Sequence, residues 1–354
     1  MDMGGIQRVN SVIANKFLET DNVSIYTIFS SKKSFYALSA KHIAGKRNKG
    51  LFLHRIVNFS SLLGVNCIAN KACEIQSRLI ADVLTKWEPS VVVLNAETIL
   101  YLPCLKKIFP KIKFFAWVHN NASIYLEQYF LRTHKIFKDA LNKADAIICL
   151  TYGDADVFGK YNKNTIVIYN PLTINNKEIS ALEQKIISWT GRLANPHKGI
   201  DYLAEVADKL PDDWKISVAG GGDEKLFRKF ISRYNANDKI IYRGTLGEDK
   251  LISHYLNSSI YLMTSRWEGF PLVLAEAMSF GLPIAAFKQS GSDEVLDRGK
   301  YGILVENGNV NALVNELNKL INDIELRKEY QKKSLTRVQD FDINAIMELW
   351  RETI

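Results

Sequence analysis

Two short stretches of the sequence combine charged residues with glycine and proline at spacings that suit phosphate and sugar chemistry. The stretch EGFPLVLAEAMSFGLP, residues 268–283, holds the carboxylates Glu268 and Glu276 eight residues apart. A carboxylate accepts two hydrogen bonds at once, which suits the vicinal diol of a ribose or a hexose. Pro271 is expected at the first position of a helix, whose free amides could bind a phosphate. A glutamate inside so apolar a helix is costly unless it is paired, which favours a function for Glu276.

The second stretch, SWTGRLANPHKGIDYL at residues 188–203, holds two cations near glycines. Arg192 follows Gly191 at the end of an apolar run, and Lys198 precedes Gly199 at the predicted start of a helix. Two fixed cations at the end of a strand would suit a pyrophosphate. Taken alone, however, a glycine turn with solvated basic side chains is the commoner arrangement.

The elements that must position these residues are short apolar runs that alternate with helical patterns. Continuous apolar runs are typical of strands covered on both faces, as in parallel sheets flanked by helices. The runs lie at residues 23–29, 90–95, 113–118, 146–150 and 165–169 in the first half of the chain, and at 185–190, 214–220, 239–244, 259–264 and 283–287 in the second. The alternation predicts an α/β protein with two doubly wound domains.

The boundary between the domains is expected where the pattern breaks, in the polar stretch after Asn170-Pro171. We expect an N-terminal domain at residues 1–172, a C-terminal domain at 173–338, and a final helix at 339–354 that returns toward the N-terminal domain. Since ligands bind at the carboxyl ends of the strands in such sheets, two facing domains would enclose a cleft.

Charge is unevenly distributed along a chain whose formal net charge is +8. Residues 1–172 hold 22 Lys and Arg against 12 Asp and Glu, a net of +10, and the remainder has a net of −2. The densest basic stretch, residues 39–55, interleaves Lys41, Lys46, Arg47, Lys49 and Arg55 with Leu51, Phe52 and Leu53. A solvated loop is the usual outcome for such a stretch, and an anionic membrane surface is the first alternative. Nucleic acid ranks last, because no binding motif accompanies the charge.

The composition is typical of a soluble, cytoplasmic protein. No stretch approaches the ~18 apolar residues that would span a bilayer, and the first residues lack the pattern of a signal peptide. The four cysteines, Cys67, Cys73, Cys104 and Cys149, have no paired spacing for a metal or a disulfide framework. We expect reduced thiols and peripheral attachment to the inner face of the membrane through the basic N-terminal domain.

Together the motifs resemble those of glycosyltransferase family 4, the retaining transferases with the GT-B fold. The resemblance extends over essentially the whole chain. It rests on Gly4-Gly5 with Arg8, on WVHNN at residues 117–121, on GRLANPHKG at 191–199 and, most specifically, on EGFPLVLAEAMSFGLP. It implies two facing Rossmann-like domains with a nucleotide-sugar donor in the cleft between them.

The resemblance also implies a role for each matching residue. Glu276 corresponds to the glutamate that binds the ribose hydroxyls, and Glu268 to the glutamate near the donor sugar. Arg192 and Lys198 correspond to the basic pair that neutralises the leaving diphosphate, and His119 to a histidine that faces the donor sugar. The other implied donor contacts are Gly191 beside the basic pair, the amides of Gly269, Phe270 and Pro271 at the phosphates, and Gly4 and Gly5 in a loop near the phosphates and the acceptor.

These residues imply a metal-independent transfer that needs no cofactor. Breaking the sugar–phosphate bond builds negative charge on the diphosphate, which Arg192, Lys198 and the helix start would stabilise. We expect a UDP-linked hexose as donor and a growing cell-surface polysaccharide or lipid-linked oligosaccharide, as in lipopolysaccharide or capsule biosynthesis, as acceptor. Residues 291–294, Gly-Ser-Asp-Glu, differ from the Gly-Pro-Glu common in relatives that transfer galactose or N-acetylgalactosamine, so the sugar stays open.

Two alternatives to this function remain: a UDP-sugar epimerase of the same fold, and a truncated nucleotide-binding chain without transfer activity. The second alternative follows from the first residues. Members of the family begin with a strand of about 5–6 residues that leads into the glycine loop, whereas only Met1, Asp2 and Met3 precede Gly4. We therefore expect that the first strand is missing, through a misplaced start codon or a truncated gene.

Overall fold

The protein is described from a computed structural model, in which the described residues are 5–27, 37–44, 47–63, 65–175, 177–194 and 196–354. These residues divide into two compact units. The first lies within Met1–Asn170 together with Ile346–Ile354, and the second within Pro171–Ala345.

The described residues of the first unit form six strands and a set of helices. The strands are β1 (Ser24–Thr27), β2 (Lys41–Ala44), β3 (Val91–Asn95), β4 (Lys113–Trp117), β5 (Ala146–Cys149) and β6 (Thr165–Val167). The helices are α1 (Gly5–Phe17), α2 (Arg47–Leu62), α3 (Asn66–Trp87), α4 (Leu102–Ile108), α5 (Ala122–Ile124), α6 (His134–Lys143) and α7 (Tyr152–Phe158), with a 3₁₀ helix at Ala96–Tyr101 and a π-helical turn at Tyr125–Tyr129.

All strand pairs described in the first unit are parallel. Strands β3, β4, β5 and β6 form one sheet in that order, and β1 pairs with β2 in a second sheet. The residues of β5 are all buried, as expected for a parallel strand covered by helices on both faces. The end of the chain also packs here: Trp350 is 1% exposed and contacts the rings of Phe17 and Trp117.

In the second unit, the part that the structure describes holds six further strands and seven α-helices. The strands are β7 (Ile186–Thr190), β8 (Lys215–Ala219), β9 (Ile240–Gly244), β10 (Ile260–Met263), β11 (Ile284–Phe287) and β12 (Ile303–Val305). The helices are α8 (Ile200–Asp208), α9 (Glu224–Arg233), α10 (Glu248–Leu256), α11 (Leu272–Ser279), α12 (Ser290–Val295), α13 (Val310–Asn322) and α14 (Ile324–Arg337). Short 3₁₀ helices lie at Asn237–Lys239 and Val338–Phe341, and α15 (Ile343–Thr353) ends the chain.

The sheet of the second unit has the strand order β12-β11-β10-β7-β8-β9, and every pairing is parallel. Counted from β7, this is the 3-2-1-4-5-6 order of a doubly wound sheet. The order reverses between β7 and β10, where two neighbouring strands send their connections in opposite directions. Ligands of such sheets bind outside the carboxyl ends of the strands at this switch point.

The sequence predicted most of these elements. Each of the ten apolar runs contains a strand, and the predicted class, parallel sheets flanked by helices, is confirmed. Two strands, β2 and β12, were not predicted. The predicted absence of a first strand concerns residues ahead of Gly5, which lie outside the described residues.

The interpretation of residues 39–55 as a solvated loop is wrong for most of this stretch. Residues 41–44 form β2, which pairs with β1, and α2 begins at Arg47. The reason is packing: Leu53 and Val57 of α2 are buried in the same core as Ala72 and Cys73 of α3. The high content of basic residues in this stretch had led to the loop prediction in spite of the amphipathic pattern.

Candidate active site

The switch point of the second unit brings together the residues of the two motifs found in the sequence. The loop after β7 holds Lys198, and the loop after β10 holds Glu268. Strands β7 and β10 are hydrogen-bonded neighbours, with Ile187 opposite Ile260. Their carboxyl ends are therefore adjacent, although 70 residues separate the two charged side chains in the sequence.

Glycine allows the loop after β7 to lie directly on its neighbours. Gly199 has a φ of +60°, and a Cβ atom there would collide with the carbonyl oxygen of Thr264 in the loop after β10. Gly220, after β8, has a φ of +147°, and a Cβ atom there would collide with the carbonyl oxygen of Gly191. Only glycine accepts both this conformation and this contact without strain. The strand-end loops are thus held in close contact.

Lys198 and Glu268 form an ion pair at the centre of the site. Nζ of Lys198 lies 2.6 Å from Oε1 of Glu268, and the two side chains are 16% and 10% exposed. Nε2 of His197 lies 3.7 Å from the other oxygen, Oε2. Burial alone would raise the pKa of the Glu268 carboxyl, but the charge of Lys198 and the contact with His197 outweigh it and lower the pKa to about 2. Glu268 is therefore ionised at neutral pH.

The backbone of Glu268 is fixed by residues that follow the third strand of the site, β11. The Glu268 amide donates a hydrogen bond to Oε1 of Gln289 at 3.0 Å, and the Ser290 hydroxyl donates to the Glu268 carbonyl at 3.3 Å. Oε1 of Gln289 also accepts from the Gly291 amide at 2.8 Å. Gln289 was missed in the sequence, where its only signal was its position at the end of an apolar run.

Two buried polar atoms near Glu268 have no hydrogen-bond partner within the described residues: Nε1 of Trp267 and Nε2 of Gln289. The rings of His197 and Trp267 are stacked, with centroids 5.0 Å apart and an interplanar angle of 16°. Buried polar groups are nearly always paired, so a cluster of unpaired ones needs an explanation. A polar ligand beside Glu268 would provide it.

The residues after Glu268 lead into α11. Pro271 occupies the N-cap position of α11, and the helix begins at Leu272. The proline was predicted at the first helical position and therefore lies one residue before it. The side chain of Phe270 is buried and packs edge-on against Phe341, with ring centroids 5.4 Å apart. Phe270 can therefore contribute to a ligand site mainly through its backbone.

Glu276 lies within α11 and is 3% exposed. Its Oε1 accepts a hydrogen bond from the Thr173 hydroxyl and its Oε2 from the Tyr255 hydroxyl, both at 3.1 Å. Burial and the Glu276 carboxylate raise the pKa of Tyr255 well above its usual range, so the phenol stays protonated and donates.

Arg192 differs from Lys198 in its environment. Its side chain is exposed, and within the part of the chain that the structure describes it makes no ion pair or side-chain hydrogen bond. The structure therefore pairs Lys198 with Glu268 and presents Arg192 to solvent. A cation in this state is available to an anionic ligand without first losing a protein partner.

Two further residues predicted from the sequence belong to the first unit. His119 follows β4 and is 9% exposed; its backbone amide donates to the Tyr125 hydroxyl at 3.1 Å. Burial lowers the pKa of the His119 ring to about 3, and its Nε2 has no partner within the described residues. Gly5 is the exposed first residue of α1. Gly4 lies outside the described residues.

The acidic residues of the described part of the chain bear on metal binding. No group of three His, Cys, Asp or Glu residues among the described residues could hold a metal ion. The sequence does contain two Asp-x-Asp triplets, at residues 154–156 and 340–342. Asp154 accepts hydrogen bonds from Thr151 and from the Ala122 amide, and Asp340 pairs with Arg337 at 2.6 Å. Both aspartates therefore have structural partners.

The described part of the chain contains no helix long and apolar enough to cross a membrane.

A surface cavity of about 510 Å³ lies beside α14, and the residues that line it include Ser180, Lys328 and Gln331. None of the candidate site residues lines this cavity, so we assign it no role in the chemistry.

The chain is similar in sequence to known glycosyltransferases. Residues 173–337 match the family model of glycosyl transferases group 1. An uncharacterised glycosyltransferase of Haemophilus influenzae is 29% identical over 98% of this chain and 95% of its own length. A Campylobacter jejuni N-acetylgalactosamine-N,N'-diacetylbacillosaminyl-diphospho-undecaprenol 4-alpha-N-acetylgalactosaminyltransferase is 28% identical over 56% of this chain and 57% of its own length.

A solved structure with a similar fold is Anabaena HepE in complex with UDP and glucose. It has a TM-score of 0.78 and 17% identity, over 99% of this chain and 96% of that one. Fold and relatives together support a glycosyltransferase with the GT-B fold, as the sequence motifs predicted. The narrower assignment to glycosyltransferase family 4 stays a prediction.

Proposed function

We propose that the protein is a retaining, metal-independent glycosyltransferase that moves a hexose from a UDP-sugar to a growing cell-surface polysaccharide or a lipid-linked oligosaccharide. The observation that carries this proposal is the largely buried Lys198–Glu268 pair at the switch point. The nearby Nε1 of Trp267 and Nε2 of Gln289 have no hydrogen-bond partner among the described residues. A cation and a carboxylate side by side suit a ligand that places a phosphate next to sugar hydroxyls.

The roles of the residues follow from charge. Lys198 and Arg192 would stabilise the negative charge that grows on the diphosphate as the sugar–phosphate bond breaks. Glu268 is ionised, so it would accept hydrogen bonds from sugar hydroxyls or stabilise positive charge near the anomeric carbon. Glu276, held by Tyr255 and Thr173, would accept hydrogen bonds from the ribose hydroxyls. The role of His119 toward the donor sugar stays a prediction of the sequence motif.

The choice of donor and acceptor draws on the relatives. The HepE structure contains UDP and glucose, and the name of the Campylobacter jejuni relative specifies a diphospho-undecaprenol-linked acceptor. We extend a UDP-sugar donor and a saccharide or lipid-linked acceptor to this chain on that basis. The identity of the transferred sugar is left open.

We also propose peripheral attachment to an anionic membrane surface through α2. Phe52 and Phe59 of α2 and Leu63, which directly follows the helix, are hereafter the apolar stripe; their side chains are 63%, 64% and 61% exposed. They lie at intervals of seven and four residues, which places them on one face of the helix, and Arg55 of the same helix is also exposed. Apolar and basic side chains on one face suit a lipid surface.

The proposed transfer is tested with purified protein, a panel of UDP-hexoses and lipid-linked saccharide acceptors. The expected result is acceptor-dependent release of UDP, retained in EDTA, with the anomeric configuration of the donor kept in the product as seen by NMR. Sugar epimerisation or UDP release without an acceptor would favour the epimerase alternative. UDP binding by calorimetry without any transfer would favour a chain that binds nucleotide only.

A further inference from the structure

Arg266 links the two loops that hold the proposed catalytic pair. Its backbone amide donates to the His197 carbonyl at 2.8 Å, and its Nη1 donates to the Pro196 carbonyl, also at 2.8 Å. Pro196 and His197 immediately precede Lys198, and Arg266 lies two residues before Glu268. The connection therefore runs between the segments that carry the two charged groups.

The same guanidinium is anchored on α8, the helix that follows Lys198. Nη1 and Nη2 of Arg266 donate to the two carboxylate oxygens of Asp201 at 2.9 and 2.6 Å. The guanidinium carbon lies 3.9 Å from the ring centre of Tyr202. The hydrogen bonds that Arg266 donates to Asp201 raise the pKa of the guanidinium, so the cation is permanent.

This geometry needs arginine. A guanidinium is planar and donates to both carboxylate oxygens while it stacks on a ring, and a further N–H remains for a carbonyl. A lysine ammonium at the same position would keep the charge but could not bind Asp201 in bidentate fashion, bind Pro196 and stack on Tyr202 at once. The pair is also only partly exposed, at 22% for Arg266 and 20% for Asp201, which limits competition from water.

We infer that the Arg266–Asp201 pair is a positioning device that sets the distance between Lys198 and Glu268. Neither Arg266 nor Asp201 needs to contact the donor. Their effect passes through the loop of Pro196 and His197, whose displacement would separate Lys198 from the carboxylate. The inference rests on the proposed function for its consequence in catalysis, but the positioning itself can be measured without activity.

The rate of transfer should depend strongly on the positions of Lys198 and Glu268. A shift of about 1 Å in a charged group can cost about 100-fold in rate, because stabilisation in the transition state depends on alignment. Binding of the nucleotide is less sensitive, since Glu276 is held by other partners, Thr173 and Tyr255. Loss of the positioning device is therefore expected to lower kcat more than it raises KM.

The experiment compares Arg266→Lys, Asp201→Asn and the double variant with the unmodified protein. The first readout is acylation of Lys198 by an amine-reactive reagent, followed by peptide mass spectrometry. Lys198 is shielded in its ion pair with Glu268, so we expect its labelling rate to rise at least about threefold in each single variant. Labelling of the exposed Lys328 should not change.

The second readout is the split between kcat and KM, with melting temperature as a check on folding. We expect kcat to fall at least about tenfold in Arg266→Lys, and the double variant to be no worse than the poorer single variant, because both changes remove one device. The matched control is Glu205→Gln. Glu205 lies on α8, as Asp201 does, and the change removes its salt bridge to Lys209, the residue that follows the helix. It should change neither readout.

The outcomes separate the two proposals. Unchanged Lys198 labelling in Arg266→Lys overturns the positioning role, whatever the activity. Increased labelling with an unchanged kcat also overturns it as a device for catalysis. If the unmodified protein transfers no sugar from any donor, the proposed function fails, while the labelling result still decides whether Arg266 positions Lys198.

Discussion

The ammonium of Lys198 lies 2.6 Å from the carboxylate of Glu268, although one residue follows β7 and the other follows β10. The pair is mostly buried, and Lys198 therefore neutralises Glu268 when no ligand is bound. An incoming diphosphate would compete for the same cation. Binding of the donor would then redistribute the charge of Lys198 between the phosphate and Glu268, with the exposed Arg192 as a second source of positive charge.

Removal of the two cations should affect turnover more than binding. We expect Lys198→Met to lower kcat by about 100-fold to 1,000-fold, the range for loss of one stabilising donor in a transition state, and Arg192→Met to have a smaller effect in the same direction. Steady-state kinetics with the donor varied gives both constants. A rise in KM with kcat intact would contradict the assignment. Lys328→Met, in an exposed ion pair, is the control.

Glu268 should make stability depend on pH in the acidic range. Its pKa in the folded protein is about 2 against an ordinary 4.5, so the folded state binds fewer protons than the unfolded state between these values. The stabilisation is complete above pH 4.5 and is lost as the pH falls toward 2. The unmodified protein should therefore lose unfolding free energy below pH 4.5 that Glu268→Gln does not lose. The stability of the variant relative to the unmodified protein should rise as the pH falls.

Urea unfolding at pH 6 and at pH 3.5 measures this shift. The control is Glu325→Gln, since the side chain of Glu325 is 75% exposed. The two measurements give the difference in unfolding free energy between Glu268→Gln and the unmodified protein at each pH. If this difference is the same at both pH values, Glu268 has an ordinary pKa.

Loss of the Glu276 carboxylate should weaken nucleotide binding. Hydrogen bonds to a charged group are worth roughly 1.5–3 kcal/mol, so we expect Glu276→Gln to lower UDP affinity by about 10-fold to 150-fold in calorimetry. Tyr255→Phe removes one internal donor to Glu276 but leaves the carboxylate, and its effect on UDP affinity should be smaller. UDP affinity that is equal in Glu276→Gln and the unmodified protein would rule out the ribose role.

His119 should remain neutral throughout the physiological range. Because burial lowers its pKa to about 3, its ring NMR signals should not move between pH 8 and pH 5.5. His254, whose pKa burial lowers to about 4, should behave in the same way, so His119→Gln is needed to assign the signal. The unfolded chain protonates this histidine below about pH 6.5, and the folded state is therefore destabilised as the pH falls further. A His119 signal that titrates near pH 6.5 would contradict the buried, neutral ring.

The apolar stripe of α2 should mediate binding to anionic vesicles. We expect the protein to float with vesicles that contain phosphatidylglycerol, and less with pure phosphatidylcholine, in a salt-sensitive manner. The double variant Phe52→Ser/Phe59→Ser should bind less at equal salt. Leu131→Ser, which changes a side chain of similar exposure, 59%, in the same unit, should bind normally. Equal flotation with neutral and anionic vesicles would exclude an electrostatic contribution.

The sequence by itself determined the class of fold and the location of the motifs. Continuous apolar runs such as 146–150 and 259–264 can only be buried on both faces, which requires parallel strands covered by helices. Glycine and charged residues directly after such runs predict strand-end loops, and this is where Lys198 and Glu268 lie. Strand β2 was not predicted, because its apolar part is too short to stand out among basic residues.

The partners of the charged groups were decided only by the tertiary structure. The sequence paired Arg192 with Lys198, but the structure pairs Lys198 with Glu268, Arg266 with Asp201, and Glu276 with Tyr255 and Thr173. Each of these contacts joins residues that are far apart in the sequence. The contacts of Lys198 and Arg266 form because the strand order places β10 beside β7. Strand order depends on how whole helices and strands pack, which no local pattern of residues encodes.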